Sequence, residues 1–487
     1  MRAFKHISIV AVSLMLTAPS FAQNEQDALF LSRDEVTGSA RSVALGGAFT
    51  ALGGDISGVY SNPAGIGVYR NNTFSISGAF HTSIVLSDYY GNSVLDSKTN
   101  INIPTMGIVG VNEIKGSKWR STGMAFGMHR NMSYHRNYSI SSNDVPSSLI
   151  DSYLQTIYDN DIQPSELPSY TFDLGLAWNT YLIDTINGYW YNAAGVLPVD
   201  QSYRVEESGA KRETFFSFGG NYDDKLYVGA NVNFSRINFQ REYAHSEDIN
   251  PDDTLTVLRE FTFNYGEEIS GLGAGISAGL IYRPITPLRL GLSIKSPTVY
   301  SLDLVYSSWM VSTFTEGRVF TAPDYDVTGN YKFRLTTPAK ANLGIAYVIG
   351  KYGLISADAE FVNYTGIRMQ GISDFYNFNA EENAIRNNLQ AGVNLKLGAE
   401  YRVTSEWTLR GGFAHFGDPY SSSLVDQGAF QLYSLGFGYR TEDFFIDAAY
   451  QLKTQNSIRY LYNPDLVEPA DLSSTDNRIT ATFGFKF

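Results

Sequence analysis

Histidine and serine are the residues that could carry acid–base or nucleophilic chemistry in this chain, which has 6 His and no Cys. The histidines are scattered, at His6, His81, His129, His135, His245 and His415. No H-E-x-x-H motif occurs, which excludes a zinc-protease helix. A Ser, a His and an orienting polar residue could still meet across strands, as in a membrane phospholipase. We nevertheless predict no catalytic residues and no enzymatic activity.

Three other stretches could hold a ligand or an ion. The glycine-rich "GGAFTALGGD" (46–55) resembles a nucleotide loop but lacks the Lys-Ser/Thr that follows such a loop. The acidic tract "SEDINPDDT" (246–254) offers oxygen ligands for Ca²⁺, although a solvated loop is the simpler interpretation. His129 and His135 share one side of a regular strand, a spacing compatible with haem ligation or with ordinary polar residues at a strand end. We predict no metal site and no cofactor.

Charged residues at alternating positions form the remaining candidate site. They are Asp358, Glu360, Lys396, Glu400, Arg402 and Arg410. Their spacing points them to one face of each strand, towards water or a wet lumen. Two interpretations remain open. The cations could bind the carboxylate of a hydrophobic acid, or the charges could neutralise one another across neighbouring strands.

The pattern that positions these residues is alternation of apolar and polar side chains. Between residues 389 and 402 the odd positions are apolar, whereas the even positions carry the polar and charged side chains. We predict about fourteen strands, at 72–87, 101–113, 118–138, 211–222, 225–242, 258–283, 287–307, 330–349, 352–366, 389–402, 406–416, 430–440, 443–460 and 477–487. Tight turns alternate with longer connections, as in outer-membrane barrels.

Composition agrees with a membrane barrel. Aromatic residues make up 14% of the chain and charged residues 17%, below the roughly 25% charged residues of a typical soluble domain. The net charge of −13 argues against nucleic acid as a partner. After the N-terminal region there is no run of about 18 apolar residues, so no transmembrane helix is expected.

Both ends of the chain indicate export. Arg2 and Lys5, an apolar stretch at 7–18 and the sequence Ser-Phe-Ala at 20–22 form a signal peptide over residues 1–22. The C-terminal "NRITATFGFKF" alternates strictly and places Phe483, Phe485 and Phe487 on one face. It resembles the terminal signal by which the barrel assembly machinery recognises its substrates. We therefore expect the outer membrane of a Gram-negative bacterium.

Residues 23–71 precede the first strand and lack its alternation. A barrel of about fourteen strands is too wide for its own side chains to fill, because about eight strands only just close the interior. We predict an all-β fold: a 14-stranded antiparallel transmembrane β-barrel over 72–487, with residues 23–71 as a hatch (plug) inside the lumen. A long extracellular loop is expected at about 139–210.

One stretch of this N-terminal region carries a family resemblance. The sequence "SARSVALGGAFTALGGDISGVYSNPAGIG" (39–67) resembles the N-terminal signature of the FadL/TodX family of outer-membrane transporters for hydrophobic compounds. Asn62, Pro63 and Ala64 match the family's Asn-Pro-Ala motif, Asp55 matches its acidic position, and Gly65 follows. Similarity continues through "ISAGLIYRPITPLRLGLSIKSP" and "TTPAKANLGIAYVIG".

The resemblance implies passive transport of long-chain fatty acids or aromatic hydrocarbons past the hatch, with lateral release into the membrane through an opening at the third strand. Asp55 and residues 62–65 would set the hatch geometry. The third strand departs from the family pattern, because a polar stretch stands where a glycine kink is expected. That stretch is His129, Arg130, Asn131 and Met132. It marks either an opening in the wall or residues above the membrane.

The expected partners are a hydrophobic small molecule, outer-membrane lipid and, during biogenesis, the barrel assembly machinery. We expect a monomer and no nucleic acid. The main alternative is a FadL-like barrel acting as a scaffold or shuttle in protein secretion or surface attachment, and a hydrophilic pore is the third possibility. A transporter needs an apolar pocket in the lumen, whereas a scaffold is expected to have a filled lumen and an exposed partner-binding loop.

Overall fold

The computed structural model of the protein describes residues 25–195, 198–249, 257–323, 327–372, 377–421 and 428–487. The predicted signal peptide lies outside these residues. The α-helices among them are α1 Glu25–Ser32, α2 Ala40–Ala44, α3 Ile56–Ser61, α4 Leu149–Asp159, α5 Leu174–Asn179 and α6 Asn379–Asn388. Short 3-10 helices occupy Pro63–Val68, Leu167–Ser169, Thr315–Gly317 and Tyr364–Gly366.

Strands make up most of the remaining described chain. They are β1 Thr73–Tyr89, β2 Asn92–Glu113, β3 Trp119–Ser133, β4 Arg136–Val145, β5 Ile183–Ile186, β6 Tyr189–Asn192, β7 Val199–Tyr222, β8 Leu226–Ile249, β9 Leu258–Ile285, β10 Leu288–Lys295, β11 Val299–Phe314, β12 Val319–Ala322, β13 Thr328–Thr336, β14 Lys340–Ile349, β15 Gly353–Asn363, β16 Arg368–Gly371, β17 Ala391–Arg402, β18 Trp407–Phe416, β19 Phe430–Arg440, β20 Phe444–Arg459 and β21 Ala470–Lys486.

The wall is a closed antiparallel barrel of 14 strands, which confirms the predicted fold class. Each of the 14 wall strands pairs with the next wall strand, and β1 pairs with β21 from Thr73↔Lys486 to Asp88↔Asp471 to close the barrel. Four wall strands are interrupted, so each consists of two segments: β3 with β4, β10 with β11, β14 with β13, and β15 with β16. Closure leaves no free edge at the ends of the sheet.

Three of these breaks lie side by side in neighbouring wall strands, at residues 296–298, 337–339 and 364–367. Pro297 and Pro338 occupy two of them, because proline has no N–H to donate to the ladder. The predictions of continuous strands at 287–307, 330–349 and 352–366 are therefore wrong at these positions. The predicted strand 118–138 is likewise broken, at residues 134–135.

Alternation decides which side chains face lipid. In β17, Leu395 and Leu397 are 50% and 52% exposed on the outer face, whereas Asn394 and Glu400 are buried on the inner face. In β21 the alternation leaves Phe483 and Phe485 exposed. The outward positions of these two strands are thus apolar over most of their length, as the hydrocarbon region of a membrane requires.

The two ends of the barrel differ in their connections. Six short turns lie at one end, here called the short-turn end: 114–118, 223–225, 286–287, 350–352, 403–406 and 441–443. The opposite end is called the loop end. The first connection there was expected to span 88–100 but is a two-residue turn, in which Tyr90 and Gly91 both have positive φ, as tight hairpins require.

The longest loop also has narrower bounds than predicted. It spans 146–198 rather than about 139–210, because β4 continues to Val145 and β7 begins at Val199. Residues of α4 and α5 pack against the loop-end parts of β9 and β11, with Leu174, Phe263 and Met310 in one apolar cluster. Within the described chain, the helices are all too short or too polar to span a bilayer.

Candidate functional site

Residues 25–71, here called the plug segment, pack against the inner face of the barrel. Apolar clusters join this segment to opposite sides of the wall: Ile56 with Val109, Leu45 with Ala346, and Val43 with Ala449, as well as Ala64 with Tyr227 and Ile281. Because these wall residues belong to β2, β14, β20, β8 and β9, the segment crosses the full width of the lumen.

Asp55 joins two helices of the plug segment. Its Oδ1 accepts hydrogen bonds from the Ser57 backbone N–H at 2.9 Å, which caps α3, and from the Ser39 hydroxyl at 2.7 Å. The Ser39 Oγ in turn accepts from the Ser42 N–H at 3.1 Å and caps α2. One buried carboxylate therefore fixes the starts of both helices relative to each other.

Asn62 connects the plug segment to the wall. It is fully buried, and its Nδ2 donates to the carbonyls of Thr50 at 2.6 Å, Leu280 at 3.2 Å and Leu292 at 3.4 Å. Its Oδ1 accepts from the Ala64 N–H at 3.0 Å and caps the 3-10 helix that Pro63 begins. Asparagine supplies both the donors and the acceptor that this position needs.

Glycines of the wall allow this close approach, and they are not among the site residues predicted from the sequence. A methyl group at Gly279 would overlap the Asn62 amide oxygen, and one at Gly229 would overlap the carbonyl of Pro63. Gly65 in the plug segment packs against Gly53 in the same manner. The sequence does contain a signal for this contact. Several strands carry glycine at inward positions, where a side chain would normally stabilise the strand by packing.

Among the predicted lumen charges, Glu400 pairs across the interface between plug and wall. Its Oε2 lies 3.0 Å from the Arg41 Nε and 2.8 Å from the Arg410 Nε. Arg410 also reaches Asp447 at 2.6 Å. Arg402 does not join this network, because it is exposed at the short-turn end. The interpretation that these charges neutralise one another therefore describes Glu400 and Arg410 but not Arg402.

The other predicted charges lie further along the lumen. Glu360 accepts from Lys396 at 3.2 Å and from the Asn394 amide at 2.7 Å. Asp358 has no cationic partner among the described residues and instead accepts from the Thr50 backbone N–H at 2.8 Å. The wall thus satisfies a backbone donor of the plug segment with a buried carboxylate.

Two acidic residues of the plug segment are held by wall cations. Asp34 lies 2.9 Å from the Lys211 Nζ and also pairs with Lys340. Burial alone would raise the pKa of Asp34, but these ammonium groups more than offset it and hold the pKa well below the ordinary value. At Glu35, burial is likewise outweighed by Lys453 and Arg478, which lower its pKa to about 2. Both carboxylates are therefore ionised at neutral pH.

The four residues predicted to mark a wall opening contact the plug segment. The His129 ring stacks on Tyr60 with the ring centroids 4.1 Å apart, and its Nε2 lies 3.2 Å from the Thr37 hydroxyl. Asn131 donates to the Tyr60 hydroxyl at 2.6 Å, and its carbonyl accepts from the Glu35 N–H at 2.9 Å. Arg130 is buried, and Met132 packs beside an apolar cluster that includes α1.

The same residues lie where the wall ladder changes. The β3–β7 register shifts between Arg130 and Met132, and β2 pairs with β3 only from Thr105↔His129 to Glu113↔Ser121. His129 and His135 are therefore not on one regular strand, because the register shift and the strand break lie between them. The predicted placement of both side chains on one side does not apply. The loop-end part of β2, residues 92–104, pairs with β1 alone among the described strands.

Strand β4, which continues the wall strand begun by β3 and pairs with β7, also packs against the inward side chains of β1 beside this interruption. The Ser139 carbonyl accepts from the hydroxyl of Ser87, a buried inward residue of β1, and Arg136 donates to the Ser474 hydroxyl at 3.1 Å. Lys98 of β2 reaches the carbonyl of Glu207 in β7 at 3.1 Å. A stretch of wall between β2 and β4 therefore lacks the backbone ladder that closes the rest of the barrel.

A cavity of about 660 Å³ lies between the plug segment, the long loop and the wall. Leu29 and Phe30 of α1 and Leu149 and Tyr153 of α4 line it, together with wall aromatics at Tyr138, Tyr203, Tyr243, Phe263 and Tyr265. This cavity is not predictable from the sequence, because its lining comes from segments far apart in the chain. The only local signal was the amphipathic spacing around 149–159.

Four arginines line this cavity, and they differ in their partners. Arg241 is neutralised by Asp27, Glu207 and Glu267 at 3.0, 3.1 and 2.9 Å. Arg33, Arg136 and Arg459 have no carboxylate partner among the described residues: their bonds go to the Gly428 carbonyl and to hydroxyls of Ser474 and Tyr203. The Nε atoms of Arg136 and Arg459 and Nη2 of Arg33 are buried without any hydrogen bond in the described chain.

A smaller cavity of about 120 Å³ adjoins the first and shares Phe30, Arg33 and Arg136 with it. It extends to Met132 and His135 at the break between β3 and β4. The two cavities therefore lie in sequence between the loop end of the lumen and the interrupted stretch of wall.

Metal ligation finds no support in the part of the chain that the structure describes, where His, Asp and Glu side chains form no group of three able to hold an ion. The acidic tract at 246–254 lies partly outside that part, beyond residue 249. The C-terminal aromatic residues close the barrel: the Phe487 N–H donates to the Asn72 carbonyl at 3.0 Å, and Phe487 is exposed.

A family profile described as "Outer membrane protein transport protein (OMPP1/FadL/TodX)" matches residues 221–465. No curated protein sequence matches the chain.

Solved structures share the architecture. A Pseudomonas aeruginosa FadL homologue aligns with a TM-score of 0.57 at 14% identity, over 94% of this chain and 100% of that one. The Pseudomonas putida toluene transporter TodX aligns with a TM-score of 0.54 at 14% identity, again over 94% and 100%. The CymD monoaromatic hydrocarbon channel gives 0.50 at 12% identity, over 94% and 99%. At these identities the likeness is evidence of the fold alone.

Proposed function

Because the chain belongs to the OMPP1/FadL/TodX family of outer-membrane transport proteins, we propose that it carries hydrophobic acids passively across the outer membrane. In this proposal the plug segment is the hatch, the cavity of about 660 Å³ holds the ligand in transit, and release is lateral, into the membrane. Asp55 and residues 62–65 set the geometry of the hatch. The proposal includes no catalytic step and no cofactor, and the protein acts as a monomer.

The cavity is the observation that carries this proposal. Its aromatic and aliphatic lining suits a hydrocarbon chain, since each buried CH₂ contributes about 0.8 kcal/mol. Its arginines favour one of the two ligand classes that the family resemblance implies. Arg33, Arg136 and Arg459 line the cavity and lack carboxylate partners within the described chain, so a fatty acid carboxylate would supply a counter-charge. A neutral aromatic hydrocarbon would leave these cations without one.

The interrupted wall supports lateral release. A ligand in the large cavity would pass through the smaller one towards residues 92–104, where β2 has no ladder partner on the β4 side among the described strands. His129 and Asn131 of β3 contact residues of the plug segment, namely Tyr60, Thr37 and Glu35. A shift of the plug segment would therefore displace the wall residues next to the interruption. Moving a hydrocarbon chain from water into lipid is downhill and needs no energy source.

Native mass spectrometry of the detergent-extracted protein tests the proposal. We expect a co-purified or added long-chain fatty acid to remain bound at a ratio of one per chain. The variant Arg136→Gln/Arg459→Gln should lose the ligand, whereas Arg204→Gln/Arg318→Gln, which removes the same charge from exposed positions at the loop end, should retain it. Absence of any bound acid, with palmitate in excess, would reject transport and favour the scaffold role in secretion or surface attachment.

A further inference from the structure

A second cavity lies on the opposite side of the plug segment, at the short-turn end of the barrel. Its volume is about 360 Å³, and residues 52–54 and 68–71 of the plug segment form one side of it. The wall completes it with residues from the last turns of several strands, including Arg402 at the end of β17. It shares no lining residue with the large cavity at the loop end.

Positive charge dominates this cavity. The cations that line it are Arg41, Arg70, Arg289, Arg402, Arg440 and Lys486, and Glu400 is the one carboxylate in the described lining. Two of these cations are neutralised, Arg41 by Glu400 at 3.0 Å and Arg70 by Asp224 at 2.6 Å. The whole chain has a net charge of −13, so this concentration of cations does not follow from a basic composition.

The other four cations have no carboxylate within ion-pair distance in the described residues. Arg289 donates to the Leu52 carbonyl at 2.8 Å, and its Nε is buried without a partner in the described chain. Lys486 donates to the carbonyls of Thr441 and Glu442 at 2.9 and 3.0 Å. The guanidinium of Arg440 lies over the Phe445 ring, and Arg402 is exposed. Like charges held together in a cleft repel one another and attract a counter-ion.

We propose that this cavity is a binding site for a compact polyanion, with phosphate groups as the chemical class that fits. Guanidinium groups match phosphate geometry through paired N–H donors. A monoanion would neutralise only one of the four unpaired cations, whereas a diphosphate brings several negative charges into a volume of this size. The phosphate could come from a soluble compound on the short-turn side or from a lipid headgroup. The site is independent of the transported ligand.

Isothermal titration of the detergent-solubilised full chain with inorganic pyrophosphate tests this inference. We expect saturable binding at physiological salt. Arg402→Gln should weaken it about tenfold, and Arg289→Gln/Arg402→Gln should weaken it further. Arg204→Gln/Arg318→Gln removes two charges from the loop end and should leave the affinity unchanged. Arg402 is exposed and has no side-chain partner in the described chain, so its single variant is expected to fold normally, which circular dichroism checks.

The same titration in nanodiscs identifies the source of the phosphate. A lipid headgroup is the source if the wild type binds pyrophosphate more weakly in phosphatidylglycerol discs than in phosphatidylcholine discs, and if Arg402→Gln shows no such difference. Equal affinity in both would assign it to a soluble phosphate compound. Failure of pyrophosphate to bind, or binding that Arg402→Gln and the double variant leave unchanged, would overturn the inference. Palmitate binding at the loop end is a separate measurement and does not depend on this result.

Discussion

Arg41 of the plug segment and Glu400 of β17 form a buried ion pair with an Nε–Oε2 distance of 3.0 Å. The same Glu400 oxygen also accepts from Arg410 at 2.8 Å, so a single wall carboxylate neutralises one cation of the plug segment and one of the wall. Buried charges that lose their partner are far more costly than exposed ones. This pair is therefore an electrostatic attachment of the plug segment to the barrel.

Replacing Glu400 with Gln should loosen the plug segment. Removing one partner of a buried pair costs about 3–5 kcal/mol, and Arg410 retains only Asp447. We expect frequent opening events in planar-bilayer recordings and a lower melting temperature in micelles. Asp303→Asn is the matched control, because its pair with Lys332 is exposed and such pairs contribute about 1 kcal/mol or less. A quiet, wild-type conductance trace for Glu400→Gln would contradict the attachment.

Replacing Asn62 with Ala should free the segment between residues 50 and 68. The substitution removes the donor to three backbone carbonyls and the acceptor of the Ala64 N–H. Each buried group that is left unsatisfied destabilises the fold by about 1–3 kcal/mol. Faster hydrogen–deuterium exchange of residues 50–68 is the expected result. Asn363→Ala serves as the control, since Asn363 caps a 3-10 turn outside the plug segment. Exchange that rises equally in both variants would rule out a special role for Asn62.

Gly279→Ala tests the same contact from the wall. The added methyl group would collide with the Asn62 amide oxygen, so the amide must move and its hydrogen bonds weaken. We expect the exchange pattern of Asn62→Ala, and the double variant should be less destabilised than the sum of the two single variants, because both act on one interaction. Gly110→Ala is the control, since a methyl group there meets no atom within 4 Å. Simple additivity would show that the two residues act separately.

The long loop should respond to pH through Asp173, which caps α5 and lines the large cavity. Burial raises the pKa of Asp173 from 3.8 to about 6, because it outweighs the hydrogen bond from the Leu174 N–H, which lowers the pKa. The neutral form is thus favoured in the folded loop. Its stabilising contribution is complete below pH 3.8 and is lost as the pH rises through about 6. We expect slower exchange of α5 at pH 5 than at pH 7.5 after correction for intrinsic rates.

Asp173→Asn is the variant that isolates this effect. It keeps a capping side chain but removes the titrating proton, so the difference between the two pH values should disappear. Exchange of the 3-10 turn Tyr364–Gly366, which the non-titrating amide of Asn363 caps, provides the internal control in the same samples. A pH difference that persists in Asp173→Asn would assign it to another group.

Much of the fold could be predicted because lipid and water impose a strict period of two. The alternation in β17 and β21 predicts which side chains face outwards. The expected alternation of tight turns with longer connections corresponds to the short-turn end and the loop end. The loop end was less predictable. Tyr90 and Gly91 form a tight turn where the sequence predicts a longer loop. The first part of β7 is not recognisable as a membrane strand, because its exposed face is polar and carries Asp200, Ser202 and Arg204. The less buried face of β4 is polar in the same way.

The site was predictable only where one short motif carried it. Asp55 and Asn62 act within a few residues of themselves as helix caps, so their types and spacing were informative. Pro297 and Pro338 are visible in the sequence, but the alternation on either side of each predicts a continuous strand. Arg33 follows α1, whereas Arg136 and Arg459 belong to β4 and β20. Gly279 and Asn62 are 217 positions apart in the chain. Such contacts depend on closure of the barrel, which no local pattern encodes.

Equilibrium binding of palmitate to the purified full chain tests the central claim most directly, namely that a hydrophobic acid occupies the cavity between α1 and α4. Thr156→Trp places an indole in that cavity, whereas Tyr158→Trp changes an exposed residue of the same helix. We predict saturable palmitate binding to the wild type and to Tyr158→Trp. Binding to Thr156→Trp should be at least tenfold weaker, which corresponds to a loss of roughly 1.4 kcal/mol of binding free energy. Equal binding by all three proteins, or none by the wild type, would contradict the account.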